Sequence, residues 1–474
     1  MRMKKEKLSV LGLAAIVLSA MIGGGVYDLP KNMAENANGL GQILAWLITG
    51  VGMWFITNMF MLLSQLKPEL TTGLYKYGEQ GFGKFTGFFI AWGYWICECF
   101  TNCAYAILLM STLNFFFPGK FTGGNNWLSI VIASIFLWLM SIIIISGIRN
   151  ANGVEIIATI GTFVAVIIFI MSMAVHFRWG IFTQNVSLMN ISSASQHYGS
   201  LFHQISKSLM VTLWVFGGIE GAVVLSDRAK SQNDVRKATF VGFIICLLIY
   251  TCISLVPLGI FSAHHVSQLA SPSMASLLSL VWHSEWGKII ISAALLITVF
   301  SGWLTWTLIL AEMPYAAAKD DAFPKIFAKE NKRKIPVISL IGATIVIQII
   351  LIFAHFSQNA FETMYTCVGT LTVPPYLICA LYLIKLSFIP SNKINVKACL
   401  VGFIAAIYTI IMGYSAGINY LTIAFIVYLI GLPVYMWNQF EKQVRPWFTK
   451  NELIFVVVII LIALVGIYSI TSVI

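Results

Sequence analysis

Charge is what this sequence has least of. Lys, Arg, Asp and Glu make up 10% of its 474 residues, against roughly 25% in soluble domains. Acids are the scarcer sign, 18 against 29 Lys and Arg. So little charge leaves no sizeable water-soluble domain. The seven histidines lie toward segment ends, so no apolar interior holds a histidine or a paired-acid motif. A nucleophile–base pair or a metal cluster is therefore missing, which argues against an enzyme and gives no cofactor and no metal. The eight cysteines (97, 99, 103, 246, 252, 367, 379 and 399) show neither zinc-finger nor redox spacing and read as small apolar packing residues. A cleavable leader is not evident, because the first apolar stretch is too long and lacks a small-residue cleavage pattern.

What is abundant is apolar surface: 59% hydrophobic residues and a mean hydropathy of +0.87. Runs long enough to cross a ~30 Å hydrocarbon core recur at about 8–34, 41–66, 85–117, 126–147, 154–177, 206–226, 237–262, 284–316, 335–356, 361–386, 396–416, 419–437 and 452–474. They are spans 1 to 13 below. Positive charge clusters on alternate sides. Arg2, Lys4, Lys5 and Lys7 precede span 1; Arg228, Lys230, Arg236 and Lys237 follow span 6; Lys319 to Lys334 follow span 8. The opposite loops hold little beyond Lys120, Arg178 and Lys288. This bias predicts a cytoplasmic N-terminus and, after thirteen crossings, an external C-terminus. The net charge of +11 is then a topology signal beside membrane ends, not a nucleic-acid surface. The histidines fall on the outer side of this topology, where His264 and His265 could sense external acidity.

Two spans carry their own breaks. Span 1 reads MIGGGVYDLP at 21–30, with Gly23, Gly24 and Gly25 in a row. Span 6 reads TLWVFGGIEGAVV from Thr212, with Gly217, Gly218 and Gly221 just after Trp214. Helical backbone in lipid cannot release hydrogen bonds without a cost of several kcal/mol per group, so broken backbone there lines a cavity or is buried in protein. The two breaks lie five spans apart and run in opposite directions, as an inverted repeat of spans 1–5 and 6–10 requires. Close helix packing is the plainer reading of either glycine cluster alone. A pair of breaks offers free N–H groups from one half-helix and free carbonyls from another. Gly24 and Gly25 would then bind a carboxylate. The carbonyls of Met21, Trp214 and Gly217 would accept from an α-ammonium.

Acids sit inside spans without basic partners there: Asp28, Glu98, Glu220 and Glu312. Each costs ~2.5–3.5 kcal/mol near the bilayer centre, so each is protonated or neutralised by a cation. Glu220 lies three residues beyond Gly217, which points to a role at the site. Glu98, one helical turn before Asn102, reads either as a substrate contact or as a protonated acid bonded to a neighbouring helix. Asp28 reads locally, as a partner of Lys31. Trp214 and Trp306 are placed to cover a long side chain and attract its cationic end, although most membrane tryptophans are packing.

The segments SAMIGGGVYDLPKNMA (19–34), AWGYWICECFTNCAYAILL (91–109), VTLWVFGGIEGAVVLSDRAK (211–230) and WTLILAEMPYAAAKDDAFPKIFAKENK (306–332) together resemble the basic amino acid/polyamine antiporters of the amino acid–polyamine–organocation superfamily. The likeness is closest to bacterial arginine/ornithine antiporters. It implies an all-α membrane protein with a 5+5 inverted-repeat fold, spans 1 and 6 discontinuous, and a twelve-helix plan here extended by a thirteenth span. It divides the single transporter domain into a first repeat (1–177), a second repeat (206–386) and appended helices (396–474). It implies exchange of a cationic amino acid (arginine, lysine or ornithine) for a related product across the bacterial inner membrane by alternating access. A proton-coupled uniporter or symporter of the same fold is the alternative. The resemblance places Gly23, Gly24 and Gly25 at the carboxylate, Trp214 on the side chain, Asn102 as a span-3 contact, Trp306 at a mid-membrane barrier and Glu220 at the coupling acid. With Met21, Glu98, Gly217 and Gly218, these complete the expected binding set. Partners are the amino acid, its counter-substrate and lipid; nucleic acid is not expected, and a homodimer is compatible. Departures are Glu98 and Cys97 where relatives are small or neutral, Asp28, Gly24 in place of a serine, and Thr162 where some relatives carry lysine.

Overall fold

The protein is described from a computed structural model covering residues 10–70, 74–147, 152–187, 197–219, 232–388 and 395–471. All regular structure among the described residues is helical. Eleven of these helices are long and apolar enough to cross a membrane. They coincide with spans 2 to 5 and 7 to 13. Spans 1 and 6, the two with glycine clusters, are absent from that set; among the described residues their first helices end at Met21 and Val215.

Helix starts follow local chemistry. Asn38 accepts from the Gly41 N–H at 2.8 Å at the head of Gly39–Leu66. Asn126 does the same for Ser129 at 2.9 Å in Trp127–Ile145. Ser200, Asn359 and Asn395 cap Leu201–Val215, Ala360–Ser387 and Val396–Ala416. Each side-chain oxygen satisfies an N–H that the first helical turn leaves open.

The chain forms two compact units. The first comprises Met1–Thr71, Asn152–Gly302 and Leu400–Tyr408. In it Val10–Met21 packs on Gln232–Leu255, and Leu201–Val215 packs on Gly39–Leu66. Polar ties fix these pairs: Thr49 to Thr212 at 2.7 Å, the Asn38 N–H to Gln204 Oε1 at 3.1 Å, and Trp46 Nε1 to Ser254 Oγ at 2.7 Å.

The second unit comprises Thr72–Ala151, Trp303–Cys399 and Thr409–Ile474. Its centre is Lys84–Phe116, packed on Ala360–Ser387 and Leu74–Phe82. Of an apolar 18-residue stretch of that helix 83% is buried, against 17% for Lys450–Tyr468. Span 13 is thus a peripheral helix packed on Ile418–Glu441, and its apolar exposed side suits lipid. Lys76, between spans 2 and 3, pairs with Glu79 at 3.0 Å and Asp320 at 3.3 Å, while the Tyr75 hydroxyl donates to Asp320 at 2.7 Å. Burial alone would lower the Lys76 pKa, but the Glu79 and Asp320 carboxylates outweigh it and leave it raised. The lysine therefore keeps its charge and holds Leu74–Phe82 in place.

Asp28 differs from its sequence reading. Its carboxylate accepts from the Ser273 N–H at 2.8 Å, at the start of Ser273–Trp282. Lys31 instead pairs with Glu35 at 3.7 Å and donates to Ser271. The acid thus finds an N–H at a helix start, where the dipole favours negative charge. Replacing it, Asp28→Ala is expected to lower stability by about 1 kcal/mol, the usual cost of a lost cap, with Asp28→Asn milder because an acceptor remains. Thermal unfolding of both variants checks this, and equal losses would show that the acceptor is not what matters.

Candidate functional site

Span 1 breaks where its sequence cannot continue a helix. Val10–Met21 ends with the Ile22 N–H on the Leu18 carbonyl at 2.8 Å. Gly23 is extended, with φ −102° and ψ −163°, and a tight turn follows over Gly24–Asp28. Helix then resumes at Leu29–Asn36, with a proline in its first turn. The opening N–H groups of a helical turn have no partner within it, and in this turn they belong to Gly24 and Gly25. Both residues are buried.

Span 6 stops in the same manner. Leu201–Val215 ends one residue after Trp214. The Gly217 N–H closes on the Trp214 carbonyl at 3.0 Å, and the Ile219 N–H on Phe216 at 3.3 Å. Gly218 has φ +95°, a left-handed conformation costing other residues roughly 1–2 kcal/mol. Glu220 and Gly221 lie outside the described residues.

The first unit brings the two breaks together. A Cβ built on Gly25 would lie 2.0 Å from Cζ3 and 2.2 Å from Cη2 of Trp214, so the indole rests on the glycine. Trp214 is buried. The Tyr250 hydroxyl lies 2.7 Å from the Met21 carbonyl and 3.0 Å from that of Val215, the final residues of the two interrupted helices. Of the carbonyls expected to face an ammonium, Met21 already accepts from Tyr250 and from the Gly23 N–H at 3.0 Å, and Trp214 from Gly217. Sequence reading missed Tyr250, and Val215 with it.

A hydroxyl chain lies in the same unit. Thr162 bonds Thr298 at 2.6 Å, and Thr298 bonds the Tyr27 hydroxyl at 3.2 Å. Thr162 stands where some relatives were expected to carry lysine, and here that place is filled by neutral hydroxyls.

The second unit holds the remaining predicted residues. Glu98 is 6% exposed and Asn102 fully buried. The Asn102 amide donates to the Glu98 backbone carbonyl at 3.0 Å, and its oxygen accepts from Thr307 Oγ1 at 3.2 Å. Asn102 thereby ties span 3 to span 8. Cys97 contacts the Val368 carbonyl at 3.3 Å and Thr372 Oγ1 at 3.4 Å. Trp306 is half-buried, with its indole toward the Tyr105 hydroxyl, while Trp303 is the fully buried tryptophan of that helix.

Two helices that stop at glycine clusters meet in one unit, and eleven helices among the described residues are long and apolar enough to cross a membrane. The amino acid permease family matches residues 8–465. The chain belongs to that family. A putative amino-acid transporter of Clostridium perfringens is 46% identical over 471 residues, covering 97% of this chain and 98% of that protein. An arginine/agmatine antiporter of Chlamydia caviae is 41% identical over 470 residues, covering 98% and 96%. One from Chlamydia pneumoniae is 39% identical over 474 residues, covering 98% of each. As a family member the chain is a multi-pass membrane protein whose relatives are amino-acid transporters, in agreement with the resemblance read from the four segments.

Proposed function

We propose that this permease exchanges a cationic amino acid for a related product across the bacterial inner membrane by alternating access. The observation that carries the reading is the meeting of the two breaks, Gly25 against Trp214, in one compact unit. An α-amino acid presents a carboxylate and an ammonium on one carbon, and helix breaks present N–H groups and carbonyls side by side. The cationic class follows from Glu98 and Glu220, and from relatives named arginine/agmatine antiporters.

The same reading divides the chain into repeats at 1–177 and 206–386, with 396–474 appended. The units match it for some pairs and not for spans 5 and 10, which fall in the first and second unit respectively. The first unit holds spans 1 and 2 with their repeat counterparts 6 and 7. The second holds spans 3 and 4 with counterpart 9 and the later half of 8. Lysine and arginine bias supports a cytoplasmic N-terminus and an external C-terminus.

Exchange over uniport follows if an ionised Glu220 makes the empty site slow to reorient, while a bound cation neutralises it. The test uses liposomes preloaded with arginine, lysine, ornithine or agmatine, or left empty, and followed for labelled arginine uptake. Uptake that requires a preloaded cation supports exchange; equal uptake into empty liposomes assigns the alternative, a proton-coupled uniporter or symporter. Glu220→Gln is expected to flatten the pH dependence of exchange between about pH 5 and 8, because the carboxyl that would take up and release the coupled proton is gone. An unchanged profile would remove Glu220 from coupling.

A further inference from the structure

The hydroxyl of Tyr250 occupies a position that no span-7 packing role requires. Met21 and Val215 are the last residues of Val10–Met21 and Leu201–Val215. Their carbonyls belong to the set that a helix end leaves without partners inside the helix, and each carries the negative end of a helix dipole; that of Met21 also accepts from the Gly23 N–H at 3.0 Å. Both lie within hydrogen-bond distance of one phenol, at 2.7 and 3.0 Å. A tyrosine hydroxyl has a single proton to donate. Two acceptors therefore share one donor, and one of them always retains capacity for another.

The ring cannot swing away. Tyr250 is 1% exposed, edge-on to Phe216 at 5.3 Å and tilted against Trp46 at 6.3 Å. One turn on, Ser254 donates to the Tyr250 backbone carbonyl at 2.9 Å and accepts from Trp46 Nε1 at 2.7 Å. A hydroxyl held between two negative helix ends sets their separation. Without it the two carbonyls would repel each other across a desolvated gap.

We propose that Tyr250 is a positioning residue: its hydroxyl holds the carbonyl ends of the two interrupted helices in register for the substrate's α-ammonium. The assignment rests on the reading that the breaks receive an amino-acid backbone. An ammonium brings three donors to a place where one phenol proton is shared between the Val215 carbonyl and a Met21 carbonyl that the Gly23 N–H also serves, so it completes what Tyr250 leaves open. The carboxylate side of the site, at Gly24 and Gly25, does not depend on this hydroxyl.

The test is Tyr250→Phe in the full-length chain, with affinities measured by competition against labelled arginine exchange. Three ligands separate the roles: arginine, agmatine (which keeps the amine and lacks the carboxylate) and 5-guanidinopentanoate (which keeps the carboxylate and lacks the amine). Arginine and agmatine are expected to weaken about tenfold, the scale of one lost hydrogen bond to a charged group. The third ligand is expected to stay within about twofold. Equal weakening of all three, or of none, overturns the assignment. If Tyr250→Phe does not fold, Tyr250→Gln restores N–H donors, and the same ligand contrast, smaller in size, is expected from it; a uniform loss is again fatal. If wild-type protein ignores arginine but takes another α-amino acid, the cationic reading fails, and Tyr250 is judged with that acid and its amine-free analogue. A wild type that binds no α-amino acid overturns both.

Discussion

Gly25→Ala is expected to lower kcat/KM for amino-acid exchange about 100-fold, or ~2.7 kcal/mol, with little loss of folded protein. A methyl at that position would stand 2.0 Å from Trp214 Cζ3, far inside van der Waals contact. Either the backbone of span 1 or the indole must shift, and overpacking of this kind costs ~1–3 kcal/mol. The shift falls on the two elements proposed to hold the substrate, so transport suffers more than folding. Trp214→Ala removes the ring and its own contribution to binding. The double variant Gly25→Ala/Trp214→Ala is then expected to be no worse than Trp214→Ala alone, because the collision has gone. That non-additivity is the signature of residues in direct contact. Independent, additive losses, or wild-type kinetics in Gly25→Ala, would refute a shared role at the site.

The elements legible in the sequence were those whose cause is local. Glycine triplets in an apolar run announce a broken helix because backbone in lipid has few choices, and the structure interrupts span 1 at Gly23 and ends the span-6 helix at Val215. Asparagine and serine at helix starts are legible for the same reason. Partners distant in sequence were not. Asp28 meets Ser273 across 245 residues and Asn102 meets Thr307 across 205; nothing in either neighbourhood names the other. Lys31, one turn from Asp28, was the nearer candidate and the wrong one, since a buried carboxylate is served as well by a helix-start N–H as by a cation. Tyr250 escaped notice as one of seventeen tyrosines, because a hydroxyl in a span signals some hydrogen bond without saying to what. Conversely, the carbonyl of Trp214, open on paper, is closed by the Gly217 N–H of its own turn.

Glu98→Gln is expected to collapse the preference for arginine over citrulline, its uncharged counterpart of the same length, by about 100-fold. A carboxylate and a cation ~4 Å apart at an effective dielectric of ~20 interact by ~4 kcal/mol, so a 100-fold change requires only part of that. Glu98 is buried in the most enclosed of the membrane-length helices, among the described residues. On the proposed function, an ionised Glu98 would attract the cationic end of the substrate's side chain. The competing reading is a protonated Glu98 that serves only to join helices. Glutamine keeps the shape and both kinds of hydrogen-bonding atom, so on that reading arginine and citrulline would change together and by less than about threefold. A fall confined to arginine places the negative charge of this transporter's selectivity on span 3. A parallel fall in both ligands returns Glu98 to packing and leaves the cationic preference to Glu220 and the indoles.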